Sequence, residues 1–164
     1  MGMDAYAALR LLHVTSAMWL VTGMLARPVV LAAARRAPDI RLLKALADVS
    51  GRFEELMIAP GIVAVLVTGI VTAVVGQIPL FGPFVGGPLW LFISLVILLF
   101  AVLATPITLA RDRRWGQALE DAATQGTMTE RLRPFLERSA MVRRYAPDIT
   151  FLAIILVLMV TKPF

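Results

Sequence analysis

The stretch that decides the fold is LLHVTSAMWLVTGMLARPVVLAAA, residues 11–34, which is followed by two arginines. It is longer than the roughly 20 apolar residues that a helix needs to cross the hydrocarbon core of a bilayer. Its polar and small residues recur at steps of three and four, so they share one helix face. That face is predicted to pack against other helices rather than lipid. Its members include His13, Ser16, Gly23 and Arg27.

The composition of the whole chain is that of a membrane protein. Of the 164 residues, 59% are hydrophobic and 16% are charged, and the mean hydropathy is +0.82. Soluble domains average about 45–50% apolar and about 25% charged residues. The length predicts one integral membrane domain, residues 1–164. Cysteine is absent, which excludes disulfides and thiolate metal ligands.

Four apolar stretches predict transmembrane helices at about residues 9–34, 58–75, 89–110 and 141–161. The expected fold is therefore an all-α, four-transmembrane-helix bundle. The amphipathic segment 38–57 is predicted to be a solvated cytoplasmic helical extension or a helix on the membrane surface. Small residues spaced by four along the second span let a neighbouring helix approach closely; they are Ala64, Thr68, Thr72 and Gly76.

Basic residues are concentrated in two segments of the chain. Fourteen of the 16 lysines and arginines lie within residues 27–55 and 111–144, and the other two are Arg10 and Lys162. Cytoplasmic loops carry an excess of such residues, so both segments are predicted to be cytoplasmic and both termini to lie outside. The net charge of +5 then indicates contact with lipid headgroups and does not suggest nucleic acid.

The two halves of the chain share a pattern. Residues 28–36 (PVVLAAARR) match residues 106–114 (PITLARDRR), and residues 59–62 (APGI) match residues 146–149 (APDI). Two helices per unit preserve the orientation of each unit in the membrane. The matches therefore predict a parallel two-plus-two internal repeat about an axis along the membrane normal.

Charged residues inside the predicted spans are expected to form ion pairs. A lone charge at the centre of a span costs about 2.5–3.5 kcal/mol on insertion scales. Arg27 and Asp148 are predicted at similar depth near the inner leaflet, and Glu54 and Glu55 reach the same level. Arg27 is therefore expected to contact Asp148 or one of these glutamates. The pair would fix helix packing or, alternatively, relay a proton or an anion.

His13 and Met159 are expected near the outer face of the bilayer. A histidine and a methionine together can ligate haem or bind copper, whereas a single histidine is also a plain hydrogen-bonding residue. The sequence shows no paired carboxylates, Ser-His-Asp set, glycine-rich phosphate loop or clustered metal-ligand spacing. Three functions stay open: a membrane protein without catalysis, a haem-binding redox protein, and a small transporter or copper-handling protein.

Motifs spread over nearly the whole chain resemble those of small bacterial four-helix membrane proteins, in particular a family of predicted integral membrane proteins of unknown function. The matching residues are Leu12-His13, Gly23, Pro28, Trp90 and the terminal Thr161-Lys162-Pro163-Phe164. This resemblance implies a protein of the bacterial inner membrane, surrounded by the lipid bilayer. A second copy of the chain or another membrane protein stays open as a partner.

The chain is more distantly similar to the haem-containing membrane protoporphyrinogen oxidases and to the copper-resistance D domain. In the oxidases a histidine with this spacing to glycine and proline binds haem b, so the resemblance implies haem at His13 and an oxidoreductase activity. Their third helix has a lysine four residues after its tryptophan. The corresponding residue of this chain is Ser94.

Overall fold

The computed structural model describes residues 3–162, except for the side chains at 3, 4, 83, 85, 101, 104–106, 108, 109, 111, 138 and 141. Within this range the chain forms helices and no strands. The helices are α1 (Met3–Ala34), α2 (Ile40–Phe53), a π-helical turn (Glu54–Ile58), α3 (Ala59–Val75), α4 (Gly82–Val85), α5 (Leu89–Gln125), α6 (Arg133–Leu136) and α7 (Arg138–Thr161). The all-α class is therefore confirmed.

The helices α1 and α3 form an antiparallel pair with closely spaced backbones. A Cβ atom placed on Gly23 of α1 would lie 2.7 Å from the Cβ of Met57. A Cβ atom on Gly61 of α3 would lie 3.2 Å from the Cα of Leu20. A Cβ at Gly23 would overlap its neighbour and one at Gly61 would force its neighbour to shift, so these glycines allow the close approach of the two helices.

The amphipathic segment and the second predicted span form one continuous helical stretch from α2 through the π-helical turn to α3. Pro60 lacks an N–H group and cannot donate to the carbonyl of Leu56, four residues earlier. The indole Nε1 of Trp19 on α1 donates to that carbonyl at 3.3 Å instead. Since the neighbouring helix satisfies this carbonyl, the proline does not end the helix.

The helices α5 and α7 form a second antiparallel pair. At one end of the pair, the Lys162 ammonium lies 5.6 Å from the centre of the Trp90 ring. Further along, the rings of Phe100 and Phe151 meet edge to face at 6.2 Å. The helix α5 is followed by Gly126, whose φ of 68° is the left-handed conformation that favours glycine at a helix C-terminus.

A buried core joins α1, α2, α5 and α7 at one end of the molecule, which we call the arginine-rich end (residues 35–53 and 112–145). Its members are Leu31, Ile40, Leu43, Ala47, Ala118, Leu119, Ala122, Leu132 and Tyr145. At its surface, Lys44 of α2 and Glu120 of α5 form an ion pair at 2.7 Å. Part of the apolar face of α2 thus packs inside the protein, with Ile40, Leu43 and Ala47 buried, while Val49 is exposed. The assignment of this segment to a cytoplasmic extension or the membrane surface stays a prediction.

Three helical stretches of the described residues are long and apolar enough to cross a membrane: Ala5–Ala34, Ile40–Val75 and Val142–Thr161. The predicted span at residues 89–110 falls within α5, where Leu89–Phe100 is a shorter apolar stretch. The structure therefore supports a helical membrane protein with three such spans among the described residues, and it leaves the predicted fourth span and the internal repeat as predictions.

Candidate functional site

Four charged side chains meet beside the core of the arginine-rich end, and we call them the ion cluster. Arg27 of α1 donates through Nη1 to Glu54 in the π-helical turn and through Nη2 to Asp112 of α5, the latter at 2.8 Å. Arg144 of α7 donates to the other carboxylate oxygen of Asp112. The cluster has no net formal charge, and each arginine side chain is only 16% exposed. Mutual pairing offsets the cost of placing these charges away from water.

The ring of Tyr145 lies next to both arginines of the cluster. The Arg27 and Arg144 guanidinium carbons are 5.7 Å and 5.3 Å from its centroid, within the range of cation–π attraction. Among the described residues, neither the Tyr145 hydroxyl nor the Nε of Arg27 has a hydrogen-bond partner, although both atoms are buried. The cluster is therefore charge-balanced, but it retains unused hydrogen-bonding capacity.

His13 lies between α1 and α3 with a defined hydrogen bond. Its Nδ1 is 3.1 Å from the hydroxyl of Thr68, and that hydroxyl donates to the carbonyl of Ala64 at 2.6 Å. Because the threonine proton is used in this way, the hydroxyl accepts from His13, so Nδ1 carries the imidazole proton and Nε2 has the lone pair. The ring packs on Gly69, where an added Cβ would lie 3.0 Å from the His13 Cε1.

A cavity of about 370 Å³ lies between α1, α5, α6 and α7 at the arginine-rich end. Aromatic residues, among them Trp115 and Phe135, form part of its wall. The charged residues among the described lining are Arg35, Arg143 and Arg144. The described part of the cavity wall is therefore largely apolar, and the charged residues on it are all positive.

The family model described as "Predicted integral membrane protein (DUF2269)" matches residues 7–163 of the chain. The chain belongs to this family. The match confirms the resemblance to predicted integral membrane proteins of unknown function, and with it the membrane class. No curated protein and no solved structure matches the chain. The more distant similarity to the oxidases and to the copper-resistance D domain is not shown by these comparisons.

In this DUF2269 member the structure places Arg27 beside Glu54, one of the three carboxylates that the sequence offered as partners. Glu55 and Asp148 are exposed, on the π-helical turn and on α7 respectively. The second partner, Asp112, is missed because it lies in the basic run RDRR, which the sequence analysis uses for orientation and for the repeat and not as a source of a carboxylate. The sequence did contain a signal for Asp112. It is an acidic residue in a basic run, and the matching residue in the first half of the chain is an alanine.

The residues predicted to pack helices lie along α1 and α3, and at the end of α3. Gly23 and Thr68 are buried, and Ser16, Ala64, Thr72 and Gly76 are partly buried. A Cβ on Gly76 would lie 2.8 Å from the Tyr6 ring, so this glycine also permits a close contact with α1. The Thr72 hydroxyl donates to the carbonyl of Thr68 at 2.6 Å and so stays within its own helix. Gly69, which contacts His13, was not singled out from the sequence.

The two residues predicted as possible haem or metal ligands, His13 and Met159, lie on different helices, α1 and α7. Met159 is half-buried on α7, and no hydrogen bond or ring contact of the described residues joins it to His13. Ser94 is 3% exposed and donates to the carbonyl of Trp90 at 2.8 Å. Within the part of the chain that the structure describes, no group of three or more His, Asp or Glu residues is arranged to hold a metal ion.

Proposed function

We propose that this protein is a four-span protein of the bacterial inner membrane that binds a ligand or partner without catalysing a reaction. The observation that carries the proposal is the contrast between two neighbouring regions. The charges of the ion cluster neutralise one another, which suits a structural role. The cavity beside it has arginines on an otherwise largely apolar wall, which suits ligand binding.

The first part of α5 would supply the fourth span. Residues 89–110 carry no charge, and a helix of this length rises by about 33 Å, enough to cross the hydrocarbon core. Both basic segments would then lie on one side of the membrane, which the excess of arginine and lysine assigns to the cytoplasm, with both termini outside. The ion pair between Lys44 and Glu120 supports this placement, because it joins the two segments.

The two antiparallel pairs, α1 with α3 and α5 with α7, support the proposed two-plus-two repeat. The second helix of each pair contains a proline at a matching position, Pro60 and Pro147. In this proposal residues 1–164 form one membrane domain that is surrounded by the lipid bilayer. A second copy of the chain and another membrane protein are alternative partners.

A haem-binding redox protein is the second candidate, and one observation favours it. Histidines that ligate a metal usually donate their other ring N–H to a fixed acceptor. The hydrogen bond from His13 to Thr68 has this form and leaves Nε2 as the nitrogen with a lone pair. Haem bound there would supply electron-transfer or oxygen chemistry.

An absorbance spectrum of the protein purified in detergent distinguishes the two candidates. Wild type, His13→Ala and a control variant, Ser16→Ala on the same helix face, are expressed with a haem precursor. We expect no Soret band in any of the three. Stoichiometric haem in wild type and Ser16→Ala that is lost in His13→Ala would overturn the non-catalytic proposal in favour of the redox protein.

A further inference from the structure

The arginines that line the cavity differ in the contacts that they make within the protein. Arg144 belongs to the ion cluster, and Arg35 donates through Nε to the carbonyl of Leu136. Arg143 is exposed and forms no ion pair with a described carboxylate. The cavity thus combines two positioned guanidinium groups with one that is available to an incoming anion. Guanidinium groups bind phosphate through parallel N–H bonds, which makes a phosphate group the best chemical match.

The rest of the wall suits hydrocarbon. The Trp115 and Phe135 rings pack edge to face at 5.7 Å, and Leu31 and Ala140 complete an apolar side. Ligand pockets usually measure about 300–1,000 Å³. At about 370 Å³ the cavity is at the small end of this range, so it would take a headgroup and the first carbons of a larger molecule.

The position of the cavity along the spans identifies the source of such a molecule. Arg35 directly follows the candidate span Ala5–Ala34, and Arg143 is the second residue of the candidate span Val142–Thr161. These span ends are where lipid headgroups lie. Basic pockets between transmembrane helices at this level are typical binding sites for anionic headgroups.

We propose that this cavity binds the phosphate headgroup and proximal acyl carbons of an anionic phospholipid. The proposal deepens the binding role proposed above and rests on it. The phosphate would lie against Arg143 and Arg35, and the hydrocarbon would lie against Trp115 and Phe135.

The test compares two lipids that differ only in headgroup charge. The full chain in detergent is titrated with phosphatidylglycerol or phosphatidylcholine of the same acyl chains, and bound lipid is counted by native mass spectrometry. We expect phosphatidylglycerol to be retained more strongly. Arg143→Gln should weaken the binding of phosphatidylglycerol about fivefold, which is the contribution expected of one basic residue near an anionic membrane surface. The matched control is Arg36→Gln, which removes an exposed arginine that does not line the cavity and should leave retention unchanged.

A second variant tests the apolar wall without altering charge. Ala140→Phe places a ring in the cavity and should also reduce retention of phosphatidylglycerol. Melting curves recorded without lipid establish that each variant is folded. Equal retention of the two lipids, or equal loss in Arg143→Gln and Arg36→Gln, would overturn the proposal. Glycerol phosphate binding as tightly as phosphatidylglycerol would also overturn it, because the site would then recognise a soluble phosphate ester.

The two experiments together distinguish a failure of the lipid-site proposal from a failure of the proposed function. If the lipid results are negative and no Soret band is present, the lipid site is wrong while a binding role with another ligand remains. If His13→Ala abolishes a stoichiometric Soret band, the non-catalytic proposal fails whatever the lipid results are.

Discussion

Arg27 contacts residues from three other parts of the fold. Its side chain contacts Glu54 next to α3, Asp112 on α5 and Tyr145 on α7. It therefore links the α1–α3 pair to the α5–α7 pair. A single arginine can do this because its planar guanidinium group presents several donors in fixed directions.

Replacing Arg27 tests this role. Arg27→Ala removes charge-assisted hydrogen bonds to two carboxylates and should lower the free energy of unfolding in detergent by about 2 kcal/mol. Glu54→Ala should cost less in the Arg27→Ala background than in wild type, with a coupling energy of about 1 kcal/mol. The control is Arg52→Ala, which removes an exposed arginine two residues before the π-helical turn and should be nearly neutral. Strictly additive effects of Arg27→Ala and Glu54→Ala would contradict the pairing.

At the residue scale, the sequence predicts which charge needs a partner better than it predicts the partner. The cost of a lone charge in a span marks Arg27, because it lies well inside an apolar run. Counting along a helix fixes depth only to about one turn, so Glu54, Glu55 and Asp148 could not be separated. The cavity arginines were not recognised as a group, because Arg35 and Arg143 are far apart in the chain and each ends or begins a span.

At the scale of elements, glycine determines how closely α1 approaches the π-helical turn and α3. Gly23→Ala should lower the free energy of unfolding by about 1–3 kcal/mol, since its new methyl group would overlap Met57 and Ile58. Gly51→Ala is the matched control, because a Cβ on this α2 glycine would meet no atom within 4 Å. That change should be neutral or stabilising by up to about 1 kcal/mol, as alanine favours a helix. Equal melting temperatures of the two variants in detergent would contradict the close packing.

Hydropathy predicts where the helical elements lie, but not how they are joined. The sequence predicts segment 38–57 and the span at 58–75 as separate elements, and Pro60 lies close to their junction. The structure continues the helix there because Trp19, 37 residues from Leu56 in the chain, donates to the carbonyl that the proline leaves without a donor. The burial of the α2 stripe depends in the same way on a distant partner, the second half of α5.

For the whole molecule, composition and apolar periodicity were sufficient to predict an all-helical membrane protein, and membership of the DUF2269 family confirms the membrane class. The number of spans is harder to predict from the sequence. Residues 89–110 are uncharged in the sequence and lie in the first part of the single helix α5, which continues into the charged segment that follows. Whether this part of α5 crosses the bilayer decides the side on which α7 begins and ends.

The most direct test of the four-span account is a pair of reporter fusions, one after Arg114 and one at Phe164. Alkaline phosphatase, which is active only outside the cytoplasm, should be inactive after Arg114 and active at Phe164. This result would place residue 114 inside and the C-terminus outside, as the excess of basic residues in 111–144 predicts. Activity after Arg114 together with inactivity at Phe164 would contradict the account, because that pattern is the one expected of three spans with both the N-terminus and α5 outside the cytoplasm.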